Sequence, residues 1–156
     1  METVGEKSRA QAAKEYFLSG YNCSQAVSLA FADRIPLDKD SLLMMSSSFG
    51  GGMGRLREVC GAVTGMFIVI GFIAGYSDTA NRQAKADHYA RIQELARRFK
   101  EENGSIICRE LIGHSEKSES PMPEKRTEQY YKKRPCAELV ECAAEILENY
   151  IKEQKL

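Results

Sequence analysis

Val59-Cys60-Gly61-Ala62-Val63-Thr64-Gly65-Met66-Phe67-Ile68-Val69-Ile70-Gly71-Phe72-Ile73-Ala74-Gly75-Tyr76 is the stretch on which the fold turns. It is apolar on every side, and no charge interrupts its 18 residues. A membrane-spanning helix needs about 20 apolar residues, and the Gly-x-x-x-Gly spacings at 61/65 and 71/75 are of the kind used by helices packing in lipid. Against a span stand four glycines and a thiol, which lower the hydrophobicity, and the lack of any second candidate segment. A helix apolar all round equally suits the centre of a soluble bundle, where glycines let neighbours approach closely. The stretch therefore predicts an all-α, single-domain bundle of five to seven helices around a buried Gly-rich central helix. Residues 1–156 then form one helical domain.

Working outward, helical periodicity continues on both sides. Ala10, Ala13 and Phe17 define a helix over 8–19 that Gly20 stops. Asn22 is placed to cap a second helix with Cys23, Ala26, Val27 and Ala30 on one stripe, ending near Ile35-Pro36. Leu42, Leu43 and Met45 mark a short helix at 39–48, and Phe49 to Arg55 reads as a Gly-rich loop. Downstream, residues 78–102 form the longest predicted helix, with His88, Tyr89, Ile92, Leu95, Ala96 and Phe99 on one face. Ser105 is set to cap a short helix through Cys108, Leu111 and Ile112. Residues 114–134 are polar, contain Pro121 and Pro123, and read as a long exposed loop. Pro135 then opens a last helix with Cys136, Leu139, Ala143, Ile146 and Tyr150 inside.

Composition narrows the class. The chain has 156 residues, 43% hydrophobic and 28% charged, close to the globular average, which excludes wholesale disorder. Lys plus Arg is 22 and Asp plus Glu is 22. Without a basic excess, a nucleic-acid partner is not expected. The charged N-terminal residues lack an apolar signal region, so the expectation is a soluble cytoplasmic protein.

Five cysteines, at 23, 60, 108, 136 and 142, are then thiols, metal ligands or a redox couple rather than structural disulfides. Four of them, Cys23, Cys60, Cys108 and Cys136, fall within the first turn of a predicted helix and on an apolar stripe or a buried helix. Unpaired N–H groups and a partial positive charge at a helix start favour thiolate, the form that attacks disulfides and ligates metals. Cys142 sits mid-helix beside Ala143 and reads as a small core residue. The gaps of 37, 48 and 28 residues match no zinc ribbon, Cys-x-x-Cys motif or ferredoxin run. Only the fold can bring the four together.

Gly50, Gly51, Gly52 and Gly54, followed by Arg55 and Arg57, open onto the central helix in a geometry that can bind an anion. No Gly-Lys-Ser/Thr follows, and a helix rather than a strand precedes, so neither a Walker nor a Rossmann loop is present. Gly51, Gly52, Gly54 and Arg55 are the candidate cofactor cradle, with a flexible crossing forced by tight packing as the competing reading. His88 reads as a satisfied core histidine and His114 as an exposed loop residue. Lys132-Lys133-Arg134 reads as a solvated loop end.

Cys60-Gly61-Ala62-Val63-Thr64-Gly65 behind Gly-Gly-Gly-Met-Gly-Arg, with Gly-Tyr-Asn-Cys at 20–23, Cys-Arg-Glu-Leu at 108–111 and Pro-Cys at 135–136, resembles the redox-active family C_GCAxxG_C_C. The resemblance spans Gly20 to Ile146 and places the family's four cysteines on Cys23, Cys60, Cys108 and Cys136, leaving Cys142 outside. It implies a redox protein whose members are often associated with transporter genes.

Three functions are compatible with these readings. In the first, the four cysteines form a thiol/disulfide couple, with Cys60 attacking a partner's disulfide or persulfide and Cys23 resolving it. The second uses Cys23, Cys60, Cys108 and Cys136 as metal ligands, for an iron–sulfur cluster or zinc. The third is a non-catalytic helical interaction module serving a transporter. The redox partner is not specified, and self-association into a homo-oligomer stays open.

Overall fold

Short polar residues start five of the helices by accepting a backbone N–H, which satisfies donors that the first turn leaves unpaired. The computed structural model describes residues 7–113 and 120–156. Ser8 caps α1 (Arg9–Leu18), Asn22 caps α2 (Cys23–Leu29), and Asp38 caps α3 (Lys39–Ser47). Asn81 caps α5 (Arg82–Asn103) and Thr127 caps α7 (Glu128–Lys133). The remaining three, α4 (Gly61–Ala74), α6 (Cys108–Ile112) and α8 (Cys136–Gln154), follow Cys60, Ile107 and Pro135 and have no side-chain cap. Three of the four helices that start at or just after a cysteine thus lack a polar cap, and α2, capped by Asn22, is the exception.

Among the described residues these eight α-helices, with a 3-10 turn at Ala32–Arg34 and a tight turn at Gly50–Met53 whose Gly51 and Gly52 are not helical, make the protein all-α. The count exceeds the expected five to seven because α7 stands inside the segment that polarity and two prolines marked as loop. Tyr130 and Tyr131 pack against the core and fold that segment back onto the body. The second helix also ends earlier than Ile35, at Leu29, before the 3-10 turn.

Helix α2 lies against α1, α3, α4 and α8, while α8 also packs on α1, α4 and α5. The stripe Leu139, Val140, Ala143, Ala144, Leu147 and Ile151 of α8 is buried, at the i, i+3, i+4 spacing of one helix face. It closes with Phe17, Phe31, Met66, Leu95 and Phe99 into one hydrophobic core. Each such side chain contributes about 1.5–3 kcal/mol by leaving water.

Helix α4 is not buried throughout. Gly61 to Met66, Val69 and Ile70 are buried, whereas Gly71 is exposed and Phe67, Phe72 and Ile73 are half-buried. Among the described residues no helix is long and apolar enough to cross a membrane.

Before α4 the backbone takes an unusual course. Gly51, Gly52 and Gly54 have φ of 68°, 69° and 64°, and Met53, Arg55 and Arg57 are also left-handed, at 71°, 66° and 60°. A non-glycine residue there costs about 1–2 kcal/mol, so the turn concentrates strain beside the cysteines. Its exit is fixed by an antiparallel bridge between Val59 and Ile107. Cys60 N–H donates to the Ile106 carbonyl at 2.8 Å and Cys108 N–H to the Glu58 carbonyl at 2.6 Å.

Candidate functional site

That bridge brings the starts of α4 and α6 together and so joins two cysteines 48 residues apart in sequence. Cys23 and Cys136, at the first residues of α2 and α8, complete the group. All four line one cavity of about 270 Å³, together with the glycine turn. Convergence is therefore a property of the structure, and none of the four is in a disulfide.

Glycines permit the approach. A Cβ on Gly61 would stand 3.0 Å from the Cys23 Cβ, and one on Gly65 would stand 2.8 Å from the Val27 Cβ. On Gly52 it would meet the Cys108 Cβ at 2.5 Å, where no side chain fits. The Cys-Gly-Ala-x-x-Gly hexapeptide and the preceding glycines therefore set the spacing between α4, α2 and α6.

The four thiols differ in acidity. The neighbouring Cys136 sulfur, with burial, raises the Cys23 pKa well above its ordinary value. Cys136 is brought down to about 7 by the neighbouring Cys23 thiol, which outweighs burial, with help from Arg134, Arg57 and the Tyr130 hydroxyl. Burial pushes Cys60 up to about 12, although the N–H groups of Ala62 and Val63 at the start of α4 oppose it. Cys108 is raised by burial and held back by Arg57, whose Nη1 donates to its Sγ at 3.6 Å. A helix start alone does not make a thiolate; an added proton donor and cations do. At Cys60, the thiol expected to react, desolvation opposes the thiolate.

Gly51, Gly52, Gly54 and Arg55, the expected cradle, all line the cavity. Arg55 Nε donates to the Ser120 carbonyl at 2.7 Å, tying the turn to the far side of the opening. Among the described residues no three His, Cys, Asp or Glu side chains are disposed to hold a metal ion. The four sulfurs thus share a pocket without forming a ready coordination shell.

Cys142 stands apart. Its Sγ donates to Glu102 at 2.9 Å and accepts from Asn103 at 3.5 Å, and it is half-buried rather than deep in the core. Burial and Glu102 push it up to about 11, so it remains a thiol. His88 is half-buried with Nδ1 lacking a hydrogen bond, edge-on to Tyr76 at 6.1 Å, and therefore not the satisfied core histidine expected. His114 lies outside the described residues.

Sequence reasoning missed Arg126, Tyr130 and Arg134, which line the cavity with Arg57, the arginine it had placed after the glycine turn. Arg134 is the largest departure: it is buried and paired with Glu124 rather than solvated. The available signal was its position immediately before Pro135-Cys136, where a cation sits beside the sulfur.

Fold and pocket together define a class: an all-helical protein that carries four thiols from four helix starts into one cavity. The chain belongs to the family described as "Putative redox-active protein (C_GCAxxG_C_C)", which matches residues 21–150 and so includes all four cysteines and the glycine turn. No curated protein and no solved structure matches the chain.

Proposed function

We propose that the protein is a thiol/disulfide redox protein in which Cys136 is the attacking thiolate and Cys23 the resolving thiol. The observation that carries this reading is that Cys23 and Cys136 line one cavity and displace each other's acidity in opposite directions. A thiolate poised near neutral pH combines a useful ionised fraction with retained nucleophilicity, the optimum for exchange. Tyr130 and Arg134 hold the charge on Cys136. Cys60 and Cys108, held on either side of the Val59–Ile107 bridge, line the same cavity.

The iron–sulfur and zinc alternative uses the same four sulfurs, and it requires them to move into a coordination shell. The opposite displacement of the Cys23 and Cys136 acidities favours the redox couple.

The test is mild oxidation of reduced protein followed by peptide mapping. A disulfide linking Cys23 to Cys136 is expected first, and Cys23→Ser should accumulate a mixed disulfide at Cys136. Protein that instead retains five titratable thiols under these conditions, or that binds stoichiometric zinc or iron through them, overturns the reading.

A further inference from the structure

We propose that residues 120–134 are a strap that opens and closes over the thiols, and that Arg126 is the latch that holds it shut. The proposal concerns access to the cavity and does not depend on which cysteine attacks or on what the thiols react with.

The cavity has two kinds of wall. One is the helical body, with the glycine turn and the four cysteines; the other is the strap, which contributes Pro121, Pro123, Glu124, Arg126, Tyr130 and Arg134. The strap is tied within itself. Glu124 pairs with Arg134, the Arg134 guanidinium lies 5.8 Å from the centre of the Tyr130 ring, and the Tyr130 and Tyr131 rings meet edge-on at 5.4 Å. Thr127 caps α7, and Pro121 and Pro123 lock two further φ angles. A segment cross-linked in this way moves as a unit.

Its ties to the body centre on Arg126. That guanidinium donates to the backbone carbonyls of Phe17 and Tyr21, the latter at 2.7 Å, and lies 4.0 Å over the Phe17 ring. Arg55 Nε on the Ser120 carbonyl and Tyr131 edge-on to Phe17 at 6.5 Å add to it. Apart from Arg134, no residue from 120 to 134 is buried. A segment that places so little in the core opens at a lower free energy than the helices beneath it.

Opening and closing serve opposite needs of the site. Cys60 and Cys108 are 4% and 7% exposed, and Cys23 and Cys136 are half-buried, so a bulky partner gains room when the strap lifts. Tyr130 and Arg134, which help to lower the Cys136 pKa, ride on the strap. The closed form therefore holds the thiolate, and the open form admits what it reacts with.

The experiment labels the reduced full chain with a maleimide–biotin conjugate, a probe too bulky to slip past a closed wall, and reads each cysteine by peptide mapping. Working on the plateau of the Cys136 pH profile removes differences in ionisation. Arg126→Gln should raise the Cys136 rate about tenfold, because it gives up two hydrogen bonds and a cation over a ring. Cys142, which lies outside the cavity against Glu102, should keep its rate. An unchanged Cys136 rate would overturn the proposal. Should the variant loosen the whole molecule, seen as an equal rise at Cys142, a urea series on the unaltered protein decides. Below the unfolding transition the Cys136 rate should climb with a slope that is a fraction of the global m-value, the mark of a local opening. A flat rate would mean that no strap lifts, and a slope equal to the global one that only unfolding exposes the thiol. Either result defeats the strap, and neither touches the disulfide expected between Cys23 and Cys136.

Discussion

Gly61 and Gly65 in the first half of α4, and Gly71 and Gly75 in its second half, share one spacing and stand in opposite surroundings. The first pair faces α2 so closely that a Cβ would meet Cys23 and Val27 at 3.0 and 2.8 Å. Around Gly71 there is nothing within 4 Å, and Gly75 ends the helix with its N–H on the Gly71 carbonyl. Only the first half is a packing device, and it is the half that begins at Cys60. Small residues at helical spacing therefore mark an interface only where a neighbour arrives, and here the neighbour brings a second cysteine.

The sharpest test of that contrast lies beside it, at Gly52. An alanine there meets Cys108 at 2.5 Å and must adopt φ near 69°. Overpacking and left-handed strain together should cost about 3 kcal/mol or more, read as a fall in the denaturant midpoint. Next, Gly65→Ala should lose about 2 kcal/mol, whereas Gly71→Ala should gain up to about 1 kcal/mol from helix propensity alone. Equal effects at 65 and 71 would break the comparison.

The same two-sidedness holds among the thiols that start helices. Alkylation of Cys136 should follow a midpoint near pH 7, while Cys60 stays protonated until about pH 12. Rates resolved by peptide mapping separate them, and a Cys60 that reacts first would reverse the assignment. The linkage has opposite signs. Cys136 has a lowered pKa, so its contribution to stability is full above its ordinary value of 9.0 and is lost as pH falls through about 7. Cys60 has a raised pKa, so its contribution is full below 9.0 and is lost as pH rises through about 12. Stability attributable to thiols should accordingly rise between pH 7 and 9 and decline above it.

The smallest effect expected is at Tyr130. Replacing it with Phe removes the hydroxyl that helps lower the Cys136 pKa and should raise the alkylation midpoint by up to about one pH unit. No movement would mean that the cations and Cys23 hold the thiolate without it.

Much of this architecture is written in local chemistry. Ser8, Asn22 and Asp38 cap helices because short polar side chains satisfy free N–H groups wherever they precede an apolar stripe. Pro135 begins α8 for the reason that makes proline suitable at a helix start. The placement of Cys23, Cys60, Cys108 and Cys136 at helix starts, with Cys142 excluded, follows from the same periodicity. What periodicity does not contain is contact between distant segments. The pairing of 57–60 with 106–109 depends on backbone hydrogen bonds that leave no pattern in side chains. Helix α7 escaped because Tyr130 and Tyr131 are held by the core rather than by any repeat of their own.

The amino-acid sequence by itself determined the helical class, the helix starts and the four cysteines placed at them, because capping and amphipathic spacing act over a few neighbours. Tertiary structure decided which way each thiol's acidity is displaced. A thiol's pKa is the balance of burial against nearby proton donors and guanidiniums, and those partners, Cys23, Tyr130, Arg57 and Arg134 around Cys136, meet it only once the chain has folded.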